Sequence, residues 1–324
     1  MKKIRLISAL CVLLASCRPE VREEYPAEPI VPLYDILYEY ADLGTAERAY
    51  IMDTDSALLA DFMQVVSTDP MDDALLEWWS GSMPVQVFTP DVDSVFPTLE
   101  PLRANLGYIL GCAEADSLGL PRREYAAVVY GRTESILFVD SAMFIALNHY
   151  LGEDYPGYSH WPTYMRRQKN PQRLPYDIAE ALVATAYPYE ASGAEATVLS
   201  RLVYEGVLVH AKMQLVPDAD AGEALGYDRA EMNWLREHEA ELWRDAVARR
   251  LLYDTSTTLA EKLVAPAPQV RELQPSAPGR AGRYIGYRIV EAYVKAHPEV
   301  SLRRMLSPDF YASPNILAES NYKL

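Results

Sequence analysis

The chain has 324 residues, half of them hydrophobic, enough for one large domain or two small ones. Its 46 acidic residues outnumber its 30 basic ones, for a net charge of −16. That argues against nucleic acid as a partner and against electrostatic adhesion to anionic lipid. Tyrosine is abundant at 23 residues, which suits half-wet grooves and interfaces.

The N-terminus carries Lys2, Lys3 and Arg5, followed by an apolar run over 6–15 broken only by Ser8. This has the form of an export signal, and it is far too short to span a bilayer as a helix. The run closes on Leu14, Ala15, Ser16 and Cys17. These four residues resemble the lipobox of bacterial lipoproteins. The resemblance implies cleavage after residue 16, a signal peptide over 1–16, and palmitate or another acyl chain on Cys17. Two acyl chains anchor a protein stably where one does not. Loss of Lys2, Lys3 and Arg5 with the signal takes the net charge to about −19. Cys11 leaves as well, so Cys112 stands as the one free thiol, and neither an intramolecular disulfide nor a multi-cysteine zinc site is available. Residues 17–32 hold four prolines and four glutamates and read as an extended tether.

Helical spacing dominates from residue 33. Helices are predicted over 33–43, 45–66 and 72–79, and a long amphipathic one over 98–118, with Pro101 tolerable in its first turn. Two β-like runs follow, 125–130 (YAAVVY) and 135–139 (SILFV), joined by a loop of hairpin length at 131–134. A helix over 141–151 ends at Gly152. The stretch 155–175 is aromatic, rich in proline and irregular. Helices are then predicted over 176–186, 194–215 and 228–252, the last opened by Asp228 and Glu231 in capping-box spacing. A second loop spans 266–282, a helix 283–295, and Ser313-Pro314 starts a last short one. The pattern is α+β and mainly helical, with a small β-sheet or hairpin, in one domain over 33–324.

The sequence holds no P-loop, no GxGxxG, no GxSxG and no HExxH. Its most informative stretch is Tyr204-Glu205-Gly206-Val207-Leu208. In a zinc peptidase, two histidines four apart on a helix hold the metal, and the glutamate between them activates water. Here Glu205 keeps that glutamate's place, while Tyr204 and Leu208 stand where the histidines would be. His210 is five residues on and faces roughly 140° away, so it replaces neither ligand.

Several segments together resemble the gliding motility lipoprotein GldB family of Bacteroidetes. They are Leu147-Asn148-His149-Tyr150-Leu151-Gly152, Tyr164-Met165-Arg166 and Tyr204-Glu205-Gly206. Trp234, Glu237 and Trp243 belong to the same set, as does Pro278-Gly279-Arg280-Ala281-Gly282-Arg283-Tyr284. The resemblance implies a degenerate zinc-peptidase-like domain, and a membrane-anchored part of the gliding and type IX secretion machinery without peptidase activity, metal or cofactor. It implies envelope proteins as partners, and a periplasm-facing position in the cell envelope.

The residues carry readings of their own. Glu205 is expected as a buried acid paired with an arginine. Arg280 and Arg283 are expected in salt bridges, with an anion or a partner's carboxylate as the alternative. Gly279, Gly282 and Gly286 suit tight turning and close helix packing. Tyr155, Tyr158, Trp161 and Tyr164 either pack as a loop or form a recognition surface. Glu237, His238, Glu239 and Glu241 are expected on a solvated face. Two other functions stay open. One is a peptidase with an atypical metal set of Glu205, His210 and a distant carboxylate. The other is a glycan-binding lipoprotein using the aromatic loop.

Overall fold

The computed structural model describes residues 25–323. The signal, Cys17 and the tether up to residue 24 lie outside the described residues. The described chain is 60% helix and 6% strand, a mainly helical α+β fold. No helix among the described residues is long and apolar enough to cross a membrane.

A four-stranded mixed sheet lies beside the helices, formed by β1 (Val31–Pro32), β2 (Glu124–Val128), β3 (Ile136–Val139) and β4 (Ala142–Ala146) in the order β1-β2-β4-β3. β2 pairs parallel with both neighbours, with Val31 opposite Ala126 and Tyr125 opposite Met143. β3 and β4 are antiparallel, with Leu137 opposite Phe144. The predicted hairpin therefore forms one strand later than expected. Its turn is Asp140-Ser141, where Asp140 takes a φ of 45° as a tight hairpin turn favours. Residues 142–146, expected as helix, are instead a fully buried strand. Five apolar residues in a row carry no period, so burial on both faces reads the same in either state.

Three further differences have local causes. The helical stretch 45–66 is two helices, Thr45–Thr54 and Ser56–Val66, broken at Asp55. A helix not expected from the pattern spans Met83–Val95, with Pro84 in its first turn and Pro90 inside it. Residues 25–32, expected as tether, pack on the domain. Tyr25 meets the Tyr108 ring edge-on at 5.7 Å. The Arg103 guanidinium donates to the Ile30 carbonyl at 2.9 Å, and Ile30 is buried. Gly107 and Gly111, one turn apart, leave a groove in the Glu100–Ala115 helix that admits this strand of chain.

The centre of the molecule is the Val198–Leu215 helix, capped by Thr197, with 14 of its 18 residues buried. A helix apolar over most of its circumference belongs inside. The Leu174–Ala186, Glu100–Ala115, Thr257–Val264 and Ala281–Ala296 helices surround it. It crosses the Ala281–Ala296 helix at two glycines. A Cβ on Gly286 would lie 1.7 Å from the Leu202 carbonyl oxygen, and one on Gly206 would lie 2.2 Å from the Gly286 carbonyl carbon. The Arg229–Ala248 helix opens with the predicted capping box, each partner of Asp228 and Glu231 accepting the other's backbone N–H.

Candidate functional site

The two crossed helices place Glu205 and Arg283 side by side. Glu205 is 6% exposed, and its two oxygens are held separately, by Arg201 at 2.9 Å and by Arg283 at 3.0 Å. Arg283 reaches onward to Glu180 on the Leu174–Ala186 helix at 2.7 Å. Glu180 also accepts from Lys212 at 2.5 Å. Lys212 is fully buried, and Arg201 extends the chain outward to Glu261. Six alternating charges thus run from the core to the surface.

The electrostatics follow from this arrangement. Burial alone would raise the Glu180 carboxyl, but Arg283 and Lys212 hold it far below its usual range. Burial pushes the Lys212 ammonium down to about 8, with Glu180 resisting. Charges this deep persist only when they are paired. Glu205 and Lys212 are seven residues apart and so share one helix face, with Arg201 a turn before. That stripe is visible in the sequence. Glu180, inside an apolar run, is not.

Tyr204 and Leu208 do packing work. Tyr204 is buried, donates its hydroxyl to the Tyr187 carbonyl at 2.9 Å, and sits edge-on to Tyr189 and Tyr311. Leu208 is 3% exposed in the core. His210 lines a separate groove of about 1,020 Å³ together with Tyr287, Arg288, Lys295 and Tyr322. Its ring is pushed down to about 4 by burial, and its Nε2 has no hydrogen-bond partner. Among the described residues no three histidine, cysteine or acidic side chains converge as a metal would require.

The aromatic loop folds inward. Tyr158 is 4% exposed, donates to the Asn148 carbonyl at 2.5 Å, and stacks on Trp161 at 5.5 Å and 12°. Tyr155 donates to Asp91 at 2.6 Å. The Lys169 ammonium lies over the Trp161 ring at 4.6 Å and contacts the His149 Nδ1 at 2.8 Å. Burial chiefly, with Lys169 beside it, lowers His149 to about 3. Tyr164 and Arg280 meet in one small cleft between the 155–170 and 266–282 loops. Arg280 caps the Ala281–Ala296 helix with a φ of 63° and donates to the Gln168 side-chain oxygen at 3.1 Å.

Glu239 departs from the expectation of a solvated face. It is 7% exposed and accepts from the Tyr284 hydroxyl at 2.8 Å, the Tyr322 hydroxyl at 2.9 Å and Arg288 at 3.0 Å. Its neighbour His238 stacks on Trp234 at 4.2 Å, while Glu237 remains exposed. Residues two apart on a helix differ by about 200°, so Glu239 can face inward while Glu237 faces water.

A family model described as gliding motility protein GldB matches residues 43–324. No curated protein and no solved structure is matched by the chain.

Proposed function

The chain belongs to the gliding motility protein GldB family, and from that premise we propose a lipoprotein that serves the gliding and type IX secretion apparatus by binding other envelope proteins, without catalysis. It is held to a membrane through acylated Cys17, with its folded domain facing the periplasm. One observation carries the non-catalytic part of this reading. Glu205, in the place of a peptidase's general base, has both carboxylate oxygens engaged by arginines. A base must be free to take a proton from water within hydrogen-bond reach. A carboxylate whose two oxygens each face an arginine, at 2.9 Å and 3.0 Å, is not free to do so. On this reading the domain keeps the scaffold of a zinc peptidase and uses it for binding.

The alternatives have less behind them. An atypical metal set of Glu205 with His210 would need both to face one space, yet His210 lines a groove that Glu205 does not. A glycan platform would need exposed aromatic faces, and Tyr158 is covered while Trp161 lies between it and Lys169.

The test is in cells. An alkyne-bearing palmitate should label the wild-type chain and not the Cys17→Ser variant. Photo-crosslinking from the domain surface should then trap a discrete envelope protein. Labelling of the Cys17→Ser chain would refute the anchor. Peptide hydrolysis that disappears in Glu205→Gln would refute the binding role.

A further inference from the structure

We propose that Arg280 is a receptor for one carboxylate of a protein or peptide ligand, taken up in the cleft bounded by Tyr164, Gln168, Tyr227 and Ala267. This rests on the binding role above and names the chemistry of the partner.

Four nearby cations have carboxylates. Arg283 has Glu180 and Glu205, Lys212 has Glu180, Arg173 has Asp177, and Arg167 has Asp228 and Glu231. Arg280 has none among the described residues. Its guanidinium donates to the neutral Gln168 side chain, and among the described residues its other N–H groups have no partner. The Gln168 amide is itself oriented, because its Nε2 donates to the Gly226 carbonyl at 3.0 Å. That leaves the oxygen facing Arg280.

The surroundings hold the guanidinium in place. Gly226 sits at a φ of 82°, and a Cβ there would lie 2.4 Å from the Arg280 Nη1. Tyr227 donates to the Gly279 carbonyl at 2.7 Å, tying the loop next to Arg280 to the core. Arg280 itself holds a left-handed backbone that a non-glycine residue adopts at a cost. Burial, with Arg283 and Arg173 nearby, pushes Arg280 down to about 10, so it remains a cation at neutral pH.

The space beside it measures about 20 Å³, enough for one water-sized group, so a single carboxylate oxygen of the ligand fits there. A planar carboxylate matches the guanidinium fork and carries the single charge that Arg280 lacks. Phosphate is bulkier and more highly charged, and it would meet Glu231, which lines the same cleft and whose carboxylate is held by Arg167 at 3.1 Å.

The test uses the full-length lipoprotein in non-ionic detergent. Phenylglyoxal modifies accessible guanidinium groups, and the sites are read by mass spectrometry. Arg280 should be modified and Arg283 spared. N-acetylglycine should suppress modification of Arg280 about tenfold once it exceeds its Kd about tenfold. N-acetylglycinamide and inorganic phosphate should leave it unchanged. No protection, equal protection by the amide, or stronger protection by phosphate would overturn the site. In cells, Arg280→Gln should lose the crosslinked partner that the wild type traps. Crosslinks that persist in Arg280→Gln would overturn this site and leave the binding role standing.

Discussion

Replacing Gly286 by alanine puts a methyl group where the backbone of Leu202 already stands. The new Cβ would lie 1.7 Å from the Leu202 oxygen and 2.5 Å from its carbonyl carbon. A carbon and a carbonyl oxygen settle at about 3.3 Å, so the two helices must part by roughly 1.5 Å along that line. No side-chain rotation relieves this, because the obstacle is backbone. A gap of even about 0.5–1 Å forfeits a quarter to a half of the dispersion energy across it. The same shift draws Arg283, nearly one turn earlier, away from Glu180 and Glu205. Overpacking alone costs about 1–3 kcal/mol, and alanine's better helix propensity returns about 1 kcal/mol. With the strained ion pairs added, the expected net loss is about 2–4 kcal/mol. Gly81 is the control, since a Cβ there meets nothing nearer than 3.8 Å. Denaturant titration followed by far-ultraviolet circular dichroism measures both variants. Gly81→Ala should stay within about 0.5 kcal/mol of wild type. A Gly286→Ala chain equally close to wild type would refute the account of the helix crossing.

The charge ladder makes an ordering prediction. Glu180→Gln strips the partner from fully buried Lys212 and one from Arg283, and should cost about 3–5 kcal/mol. Lys212→Met leaves Glu180 its bond to Arg283 and should cost no more than about 2 kcal/mol. The same titration reads both, and the reverse order would contradict the pairing. His210 gives a pH prediction. It titrates at about 4 when folded against 6.5 when unfolded, so the unfolded chain holds the extra proton between those values. Its contribution is full above 6.5 and is lost as pH falls towards 4, at up to about 1.4 kcal/mol per pH unit. His210→Asn should therefore flatten the stability profile between pH 6.5 and 4, and an unchanged slope would count against a buried neutral ring. Tyr204→Phe removes one hydrogen bond, to the Tyr187 carbonyl, and should cost about 1 kcal/mol in a thermal or denaturant melt; no loss at all would contradict a stabilising role for that bond.

Much of the helical framework was legible. The Asp228–Glu231 capping box, the amphipathic 98–118 stretch and the glycines at 279, 282 and 286 all have the local geometry their residue types suggest. What was not legible depends on tertiary context. The run 142–146 is apolar throughout, so only its pairing with β2 and β3 makes it a strand. The Met83–Val95 helix was hidden by Pro84 and Pro90, of which only the first sits in an ordinary helix position. Tyr25 and Ile30 look like isolated apolar residues in a proline-rich segment until the Gly107–Gly111 groove receives them. At the site, the pairing of Glu205 with an arginine was readable from burial logic. Glu180 and Gln168 were not, because they meet Arg283 and Arg280 across more than 100 residues of chain. Glu239 was masked by its acidic neighbours, and only the hydroxyls of Tyr284 and Tyr322 mark it as an inward-facing group.

The measurement that bears most directly on the non-catalytic role is the zinc content of the full-length lipoprotein. The chain would be purified in detergent without chelator and then titrated with zinc. Glu205 locked between Arg201 and Arg283, with Tyr204 and Leu208 packed in the core, predicts no stoichiometric metal and no saturable uptake. One tightly held zinc per chain, released by Glu205→Gln, would contradict it.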